Sequence, residues 1–543
     1  MAACADPLRW FCHGPPESRS LCAWRHVRGS WVGLVAAAHF DVLIIGAGIS
    51  GIGAAFHLQR DCPTKSYAIL EGRNALGGTW DLFRYPGIRS DSDMYTLGYS
   101  FKPWKEQKAI ADGPAILRYL EATADENHIR EKIRFQHQVR SAAWSTESAC
   151  WTVQAECGEA RELVGYTCNF LFLCGGYYRY AAGYTPDFPG IDRFPGRVIH
   201  PQHWPDDVDY RDKGVVVIGS GATAVTLVPE LAKTAAHVTM LQRSPTYMLS
   251  RPSEDALANR LRRILPAQLA YDLIRWRNVL LTLFVYRRSK KSPERMKRYL
   301  INQVRKRLGP DYDVATHFTP SYGPWDQRLC LVPDDDLFDA IKSGSASIVT
   351  DQIDSFTPAG IRLKSGQVLT ADLVITATGL ALEVFNGIAV SVDGKAVAPA
   401  ETFMYRGMMY NDVPNLATSF GYTNASWTLR ADLTSSYVCR LLNHMDKTAT
   451  RLCTPRLHDP AMKETAWFNL SSGYVRRAAG KLPRQGDKDP WIAPQNYLRD
   501  LKNLRFGPVD DGAMEFSNPP CPGWGAALPA ARAVGRRSAR ASP

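Results

Sequence analysis

Residues 41–60 read DVLIIGAGISGIGAAFHLQR. Val42 to Ile45 is an apolar run of strand length, Gly46, Gly48 and Gly51 follow, and a helical pattern comes next. This is G-x-G-x-x-G with a strand before it and a helix after it, the context in which the pattern holds a dinucleotide. The first glycine makes the tight turn, the second lets backbone approach a pyrophosphate, and the third lets the helix pack on the strand. Amide donors at the start of the helix, where Ser50 lies, then face the phosphates. A second strand, SYAILE, ends on Glu71, twenty residues after Gly51. A carboxylate at that place accepts bonds from a ribose.

Residues 214–232, GVVVIGSGATAVTLVPELA, repeat the design. Val215 to Ile218 is the strand, and Gly219, Ser220, Gly221, Ala222, Thr223 and Ala224 form the turn, with alanine in the third glycine's place. The next strand, HVTMLQ, leads to Arg243 and Ser244 where the first unit has Glu71. An acid there would repel a 2′-phosphate, whereas arginine attracts it with a bidentate fork. The second site is therefore expected to prefer NADPH.

Two nucleotide sites in one chain imply electron traffic. The first, with its ribose acid, suits FAD, and the second suits NADPH. The fold class expected is α/β, with two Rossmann-like dinucleotide-binding domains (FAD and NADP) and a helical insertion in the NADP domain. The expected FAD domain comprises residues 39–180 and 381–518. The NADP domain comprises 181–250 and 326–380, interrupted by a basic helical insertion at 251–325. The strand in ADLVITATG, 371–379, is expected to close the second domain and return the chain to the first.

The 543 residues suffice for two or more domains. Apolar content is 45% and charged content 22%, both ordinary for a globular protein. No apolar run reaches transmembrane length. The twelve cysteines form no Cys-x-x-Cys pair and no zinc spacing, so free thiols in a reducing cytoplasm are expected and no metal site is assigned. Nucleic acid is not among the expected partners. Residues 1–38 are expected to be a disordered or artefactual extension, although WVGLVAAA within them looks like a short signal core. The Ala/Arg/Pro-rich end, 519–543, is expected to be disordered.

The net charge of +12 is concentrated. Residues 251–310 hold sixteen Lys or Arg against four Asp or Glu, a balance of +12 in one segment. Its pattern is helical, with NVLLTLFVY flanked by basic residues. Either its apolar face packs on the enzyme, or residues 260–307 touch anionic lipid at the inner face of the cell membrane.

A disulfide reductase would carry a redox cysteine pair just after the first unit. This chain has GGTWDLFRYPGIRSDSDMYT there, without cysteine. Electrons from a reduced flavin must go elsewhere, and dioxygen is the obvious acceptor.

GAGISG, GGTW, FPGRVIHPQHWP, GSGATA and ATG occur here in the order seen in type I Baeyer–Villiger monooxygenases, and from Asp41 to about residue 517 the chain resembles that family. The family fingerprint F-x-G-x-x-x-H-x-x-x-W-P/D is matched by Phe194, Gly196, His200, Trp204 and Pro205. Related N- and S-oxygenating flavin monooxygenases usually carry tyrosine in place of Trp204. DLFRYPGIRSDSDMYTLGYSFKPW and NASWTLRADL resemble the actinobacterial branch that activates the thioamide ethionamide.

The resemblance implies that NADPH reduces FAD, that dioxygen gives a flavin peroxide, and that the peroxide attacks a ketone to yield an ester or lactone. Sulfides and thioamides are side substrates. It makes the fingerprint a hinge between the domains, with His200 holding the linker rather than acting as a base. It matches the catalytic arginine to Arg328 in PWDQRLC and its aspartate partner to Asp91, with Asp93 a near neighbour. Such an arginine stays charged and can stabilise negative oxygen in a dry pocket. The alternative role for Asp91 is to cap a helix at SDMYT. The resemblance adds Thr79, Trp80, Asp81, Leu82, Ser90, Tyr95 and Val139 as FAD contacts, and Trp427 as a pocket wall. FLFLCGGYY departs from the family's usual Ala-Thr-Gly by placing Cys174 in the crossing strand. Two other readings stay open: a flavin N/S-oxygenase without ketone activity, and an NADPH oxidase. The natural ketone and the oligomeric state are left open.

Overall fold

The computed structural model describes residues 22–27, 30–467 and 471–519. The remainder of the expected extension and nearly all of the expected tail lie outside these. Two separate sheets organise the molecule. In the first, strands β1 (Ser30–Ile45), β2 (Tyr67–Leu70), β3 (Glu162–Leu173) and β9 (Leu416–Thr418) run parallel, in the order β2-β1-β3-β9. Val42, Leu43 and Ile44 are fully buried, as a central parallel strand covered on both faces requires. β1 begins at Ser30, earlier than the apolar run at Val42, and pairs with a strand at Cys22–Val27.

The second sheet is wholly parallel, in the order β7-β6-β5-β8-β4. Its strands are β4 (Arg197–Ile199), β5 (Gly214–Ile218), β6 (His237–Gln242), β7 (Ala346–Thr350) and β8 (Leu373–Thr376). β8, within the stretch 371–379, lies between β5 and the edge strand β4 and is the last strand of this sheet along the chain. Helix α1 (Ile49–Asp61) follows β1, and α2 (Ala222–Leu231) follows β5. α1 packs on α6 (Trp427–Thr448), late in the chain.

The basic segment forms helices α3 (Ala256–Ile264), α4 (Ala267–Lys291) and α5 (Pro293–Leu308). The Asp255 side chain caps α3 by accepting from the Ala258 amide. Pro293 opens α5, where its missing N–H costs nothing. α4 buries Tyr271, Ile274, Arg275 and Asn278 against the segment 93–99. Arg275 Nη1 donates to the carbonyls of Tyr95 and Gly98, both at 2.8 Å, so the insertion is anchored to the first unit. Among the described residues no helix is long and apolar enough to cross a membrane.

Candidate active site

Strand β1 delivers Gly46 at φ +104°, where an added Cβ would lie 2.9 Å from Gly175 Cα. A Cβ on Gly51 would lie 1.9 Å from the Gly46 carbonyl oxygen, so the helix can pack here only with glycine. A Cβ on Gly48 would reach 3.5 Å from Gly78 Cα, which places the GGTW turn against the first glycine turn. α1 starts at Gly48 with no side-chain cap, leaving its first amides for a ligand. Ser50 Oγ accepts from Trp427 Nε1 at 2.8 Å, which brings NASW to the same turn.

Glu71 is buried at the end of β2. Its Oε2 accepts from the Ala47 amide at 2.7 Å and its Oε1 from the Arg73 amide at 3.0 Å. Burial pushes its carboxyl above the usual range, against the pull of these amides. The ribose acid thus also holds the turn. The Thr79 hydroxyl lies 3.2 Å from the Tyr180 hydroxyl. Buried Asp81 pairs with Arg73 at 2.5 Å and Arg84 at 3.1 Å, with Trp80 and Leu82 half-buried beside it. Buried Ser90 donates to the Ser92 carbonyl at 2.7 Å. Tyr95 is buried against Tyr271, its hydroxyl without a hydrogen-bond partner among the described residues. Val139 is buried in the strand His137–Ser145, whose first amide donates to the Glu71 carbonyl.

At the second turn, a Cβ on Gly219 would meet the Ala377 carbonyl oxygen at 2.4 Å, whereas nothing lies within 4 Å of one on Gly221. α2 likewise begins without a side-chain cap. Ser220 Oγ donates to the Ser244 carbonyl at 3.1 Å, and Ala224 is fully buried under the turn. Exposed Ala222 opens the helix, and Thr223 meets the Tyr85 hydroxyl from the first unit. Arg243 and Ser244 are exposed, and Arg243 has no carboxylate partner among the described residues.

The fingerprint lies where the chain crosses between the two sheets. The outward crossing, 174–196, and the return, 377–388, run side by side. The Arg179 amide donates to the Ala381 carbonyl, Tyr184 to Gly379, and Glu383 to Tyr177, all within 3.0 Å. His200 ties the linker to the return crossing: Nε2 lies 3.1 Å from the Gly379 carbonyl oxygen, and Nδ1 accepts from the Gln202 amide. Both ring nitrogens are committed, and burial lowers the imidazole's pKa. Gln202 Nε2 donates to the carbonyls of Arg179 and Tyr180. Phe194 is buried on Phe356, and a Cβ on Gly196 would strike the Asp372 carbonyl oxygen at 2.4 Å. Trp204 packs edge-on to Tyr210, with Pro205 half-buried beside it. Cys174 is buried behind the first turn, donating its amide to the Ile45 carbonyl.

Arg328 and Asp91 are brought together from opposite ends of the site. Arg328 Nη1 donates to Asp91 Oδ2 at 2.6 Å. The cap of the short helix Met94–Leu97 is Asp93, which accepts from the Thr96 amide, so Asp91 is free for the arginine. The Asp91 carboxylate, followed by the nearby tyrosines 177, 178 and 474, raises the Arg328 guanidinium well above the usual arginine range. These tyrosines carry no motif in sequence. Their only trace is the doubled tyrosine in GGYYRY.

The chain matches the flavin-binding monooxygenase-like family over residues 99–385, and an NAD(P)-binding Rossmann-like domain over residues 44–106. It is 53% identical over 485 residues to the FAD-containing monooxygenase EthA of Mycobacterium tuberculosis, covering 89% of this chain and 99% of that one. Identity to EthA of Mycolicibacterium smegmatis is 50% over 481 residues, covering 88% and 97%. Among solved structures, cyclohexanone monooxygenase from Rhodococcus sp. Phi1 bound to NADP+ superposes with a TM-score of 0.70 at 19% identity, covering 89% and 99%. An oxidized steroid monooxygenase bound to NADP gives 0.69 at 20%, covering 88% and 100%. These two likenesses establish the shared fold.

Proposed function

The chain belongs to the flavin-binding monooxygenase-like family, and from that premise we propose that it uses NADPH and dioxygen to insert one oxygen atom into ketones, giving esters or lactones. We assign residues 39–180 and 381–518 to binding FAD, through Gly46, Gly48, Ser50, Gly51, Glu71 and the GGTW turn. Residues 181–250 and 326–380 are assigned to NADPH, through the turn at Gly219–Ala224 and through Arg243. Both cradles fit a dinucleotide, since each pairs a tight glycine turn with an uncapped helix start. When bound, FAD supplies a two-electron store between the hydride of NADPH and dioxygen.

The observation that carries the ketone reading is the Arg328–Asp91 pair. A carbonyl oxygen gains negative charge when an oxygen nucleophile attacks it, and a fixed cation lowers that barrier. Arg328 holds its proton, and Asp91 holds the guanidinium in place. A sulfide or thioamide has no such oxyanion, so sulfur oxidation depends less on this pair. Cys62, Cys150, Cys157, Cys168, Cys174, Cys330, Cys439 and Cys453 are free thiols.

The deciding experiment supplies the purified enzyme with NADPH, air and a panel of methyl ketones, with products identified by mass. Ester formed in near-stoichiometric yield on NADPH supports the proposal. Sulfoxide from a sulfide, with hydrogen peroxide and no ester from every ketone, would move the protein to heteroatom oxygenation. Peroxide alone would make it an NADPH oxidase.

A further inference from the structure

We infer that the outward face of α4 docks on an anionic lipid surface. Leu269, Leu273, Trp276, Leu280 and Phe284 follow one another at spacings of three or four residues, and so form one stripe along the helix. All are exposed: Leu273 by 49%, Leu280 by 51% and Phe284 by 65%. Ile264, at the end of α3, extends the apolar face with 68% exposure. Single exposed apolar residues need no explanation, but a continuous stripe of this kind marks an interaction surface. The stripe is held rigidly, because the opposite face of α4 is fixed by Tyr271, Ile274, Arg275 and Asn278. Trp276 also packs against Tyr497, so the neighbouring segment supports it.

Charge selects the occupant. Arg287 and Lys291 continue the stripe's own spacing beyond Phe284. These two, with Arg288 and with Arg263 at the other end, are exposed and have no carboxylate partner among the described residues. Asp272 is the one acidic residue of α4. A second copy would bring the same positively charged segment against itself, and like charges oppose that contact. An anionic bilayer takes both parts at once: the stripe enters the boundary of the acyl region while the cations meet headgroup phosphates.

Full-length holoenzyme is floated with vesicles of phosphatidylcholine alone, or with about 30% phosphatidylglycerol added, and its mass without vesicles is measured by light scattering. Two double variants accompany it, Leu280→Ser with Phe284→Ser, and Arg287→Glu with Lys291→Glu. The expected result is about tenfold more enzyme floating with the anionic vesicles, weakened at about 0.5 M salt, where charge interactions are screened within a few ångströms. Each double variant should lower flotation by about tenfold while keeping its circular dichroism and NADPH oxidation in solution. Three results overturn the inference: no flotation with anionic vesicles, flotation indifferent to both variants, or a doubled mass that either variant returns to monomer.

Discussion

Arg328 and Asp91 stand 237 positions apart in the chain, and Arg328 Nη1 donates to the Asp91 carboxylate at 2.6 Å. The arginine arrives just before the strand Cys330–Pro333, and the aspartate lies in the loop that leads into the helix Met94–Leu97. Arg328→Ala should lower ester formation by about a hundredfold or more. Flavin reduction by NADPH, followed by stopped-flow absorbance, should survive. Arg328→Lys should recover part of the loss, because lysine keeps the charge and loses the fork. Equal loss of ester and of flavin reduction would place Arg328 outside the oxygen-inserting step.

The two glycine turns should respond differently to one methyl group. Gly51→Ala forces a Cβ to 1.9 Å from the Gly46 carbonyl oxygen, so the purified variant should lack flavin absorbance. Nothing lies within 4 Å of a Cβ on Gly221. Gly221→Ala should therefore fold, keep its flavin and raise the KM for NADPH by about tenfold, since the methyl meets only the ligand.

Arg243 is exposed at the end of β6 and has no carboxylate partner among the described residues. Arg243→Ser should raise the KM for NADPH by about ten- to a hundredfold and leave that for NADH within about twofold. Steady-state kinetics with both cofactors checks this. A matched rise for both would remove Arg243 from 2′-phosphate recognition.

His200 links the hinge to acidity. Burial lowers its folded-state pKa below the usual imidazole value, so the unfolded chain binds the proton more readily. Stability should rise with pH up to the ordinary histidine range, level off above it, and fall as the pH drops below it. Thermal unfolding between about pH 5 and 8 should show that acid loss in the wild type and a smaller one in His200→Gln. Parallel curves would mean that His200 does not titrate with unfolding.

Both dinucleotide turns are legible in the sequence because their demands are local. A tight turn, a backbone approach and a helix start fall within six residues, and glycine serves the first two in both turns, with alanine taking the third place in the second. The carboxylate and arginine that end the next strands are legible for the same reason. Tertiary pairings are not. Nothing in the spacing of PWDQRLC or YPGIRSD joins Arg328 to Asp91, and that pair is accessible only through a family resemblance. The same holds for the tyrosines around Arg328 and for the pairing of the two crossings, which depends on how the sheets face one another. In α4 the basic excess is plain, but apolar residues lie on both sides of the helix. Which of them are covered follows only from what packs against Tyr271 and Arg275.

The hydroxyls of Thr185, midway along the outward crossing, and Thr376, at the end of β8, lie 3.2 Å apart. Topologically, residues 186–375 are a guest carried on a closed loop of the host. A guest with adjacent ends adds little strain to the host that carries it, because the host need only bridge a short gap. Excising it and joining the two threonines through a few flexible residues would close the host chain but would also uncover the surface at 93–99 that α4 buries. For the intact enzyme, a single protease cut in either crossing would leave the halves tied by the other.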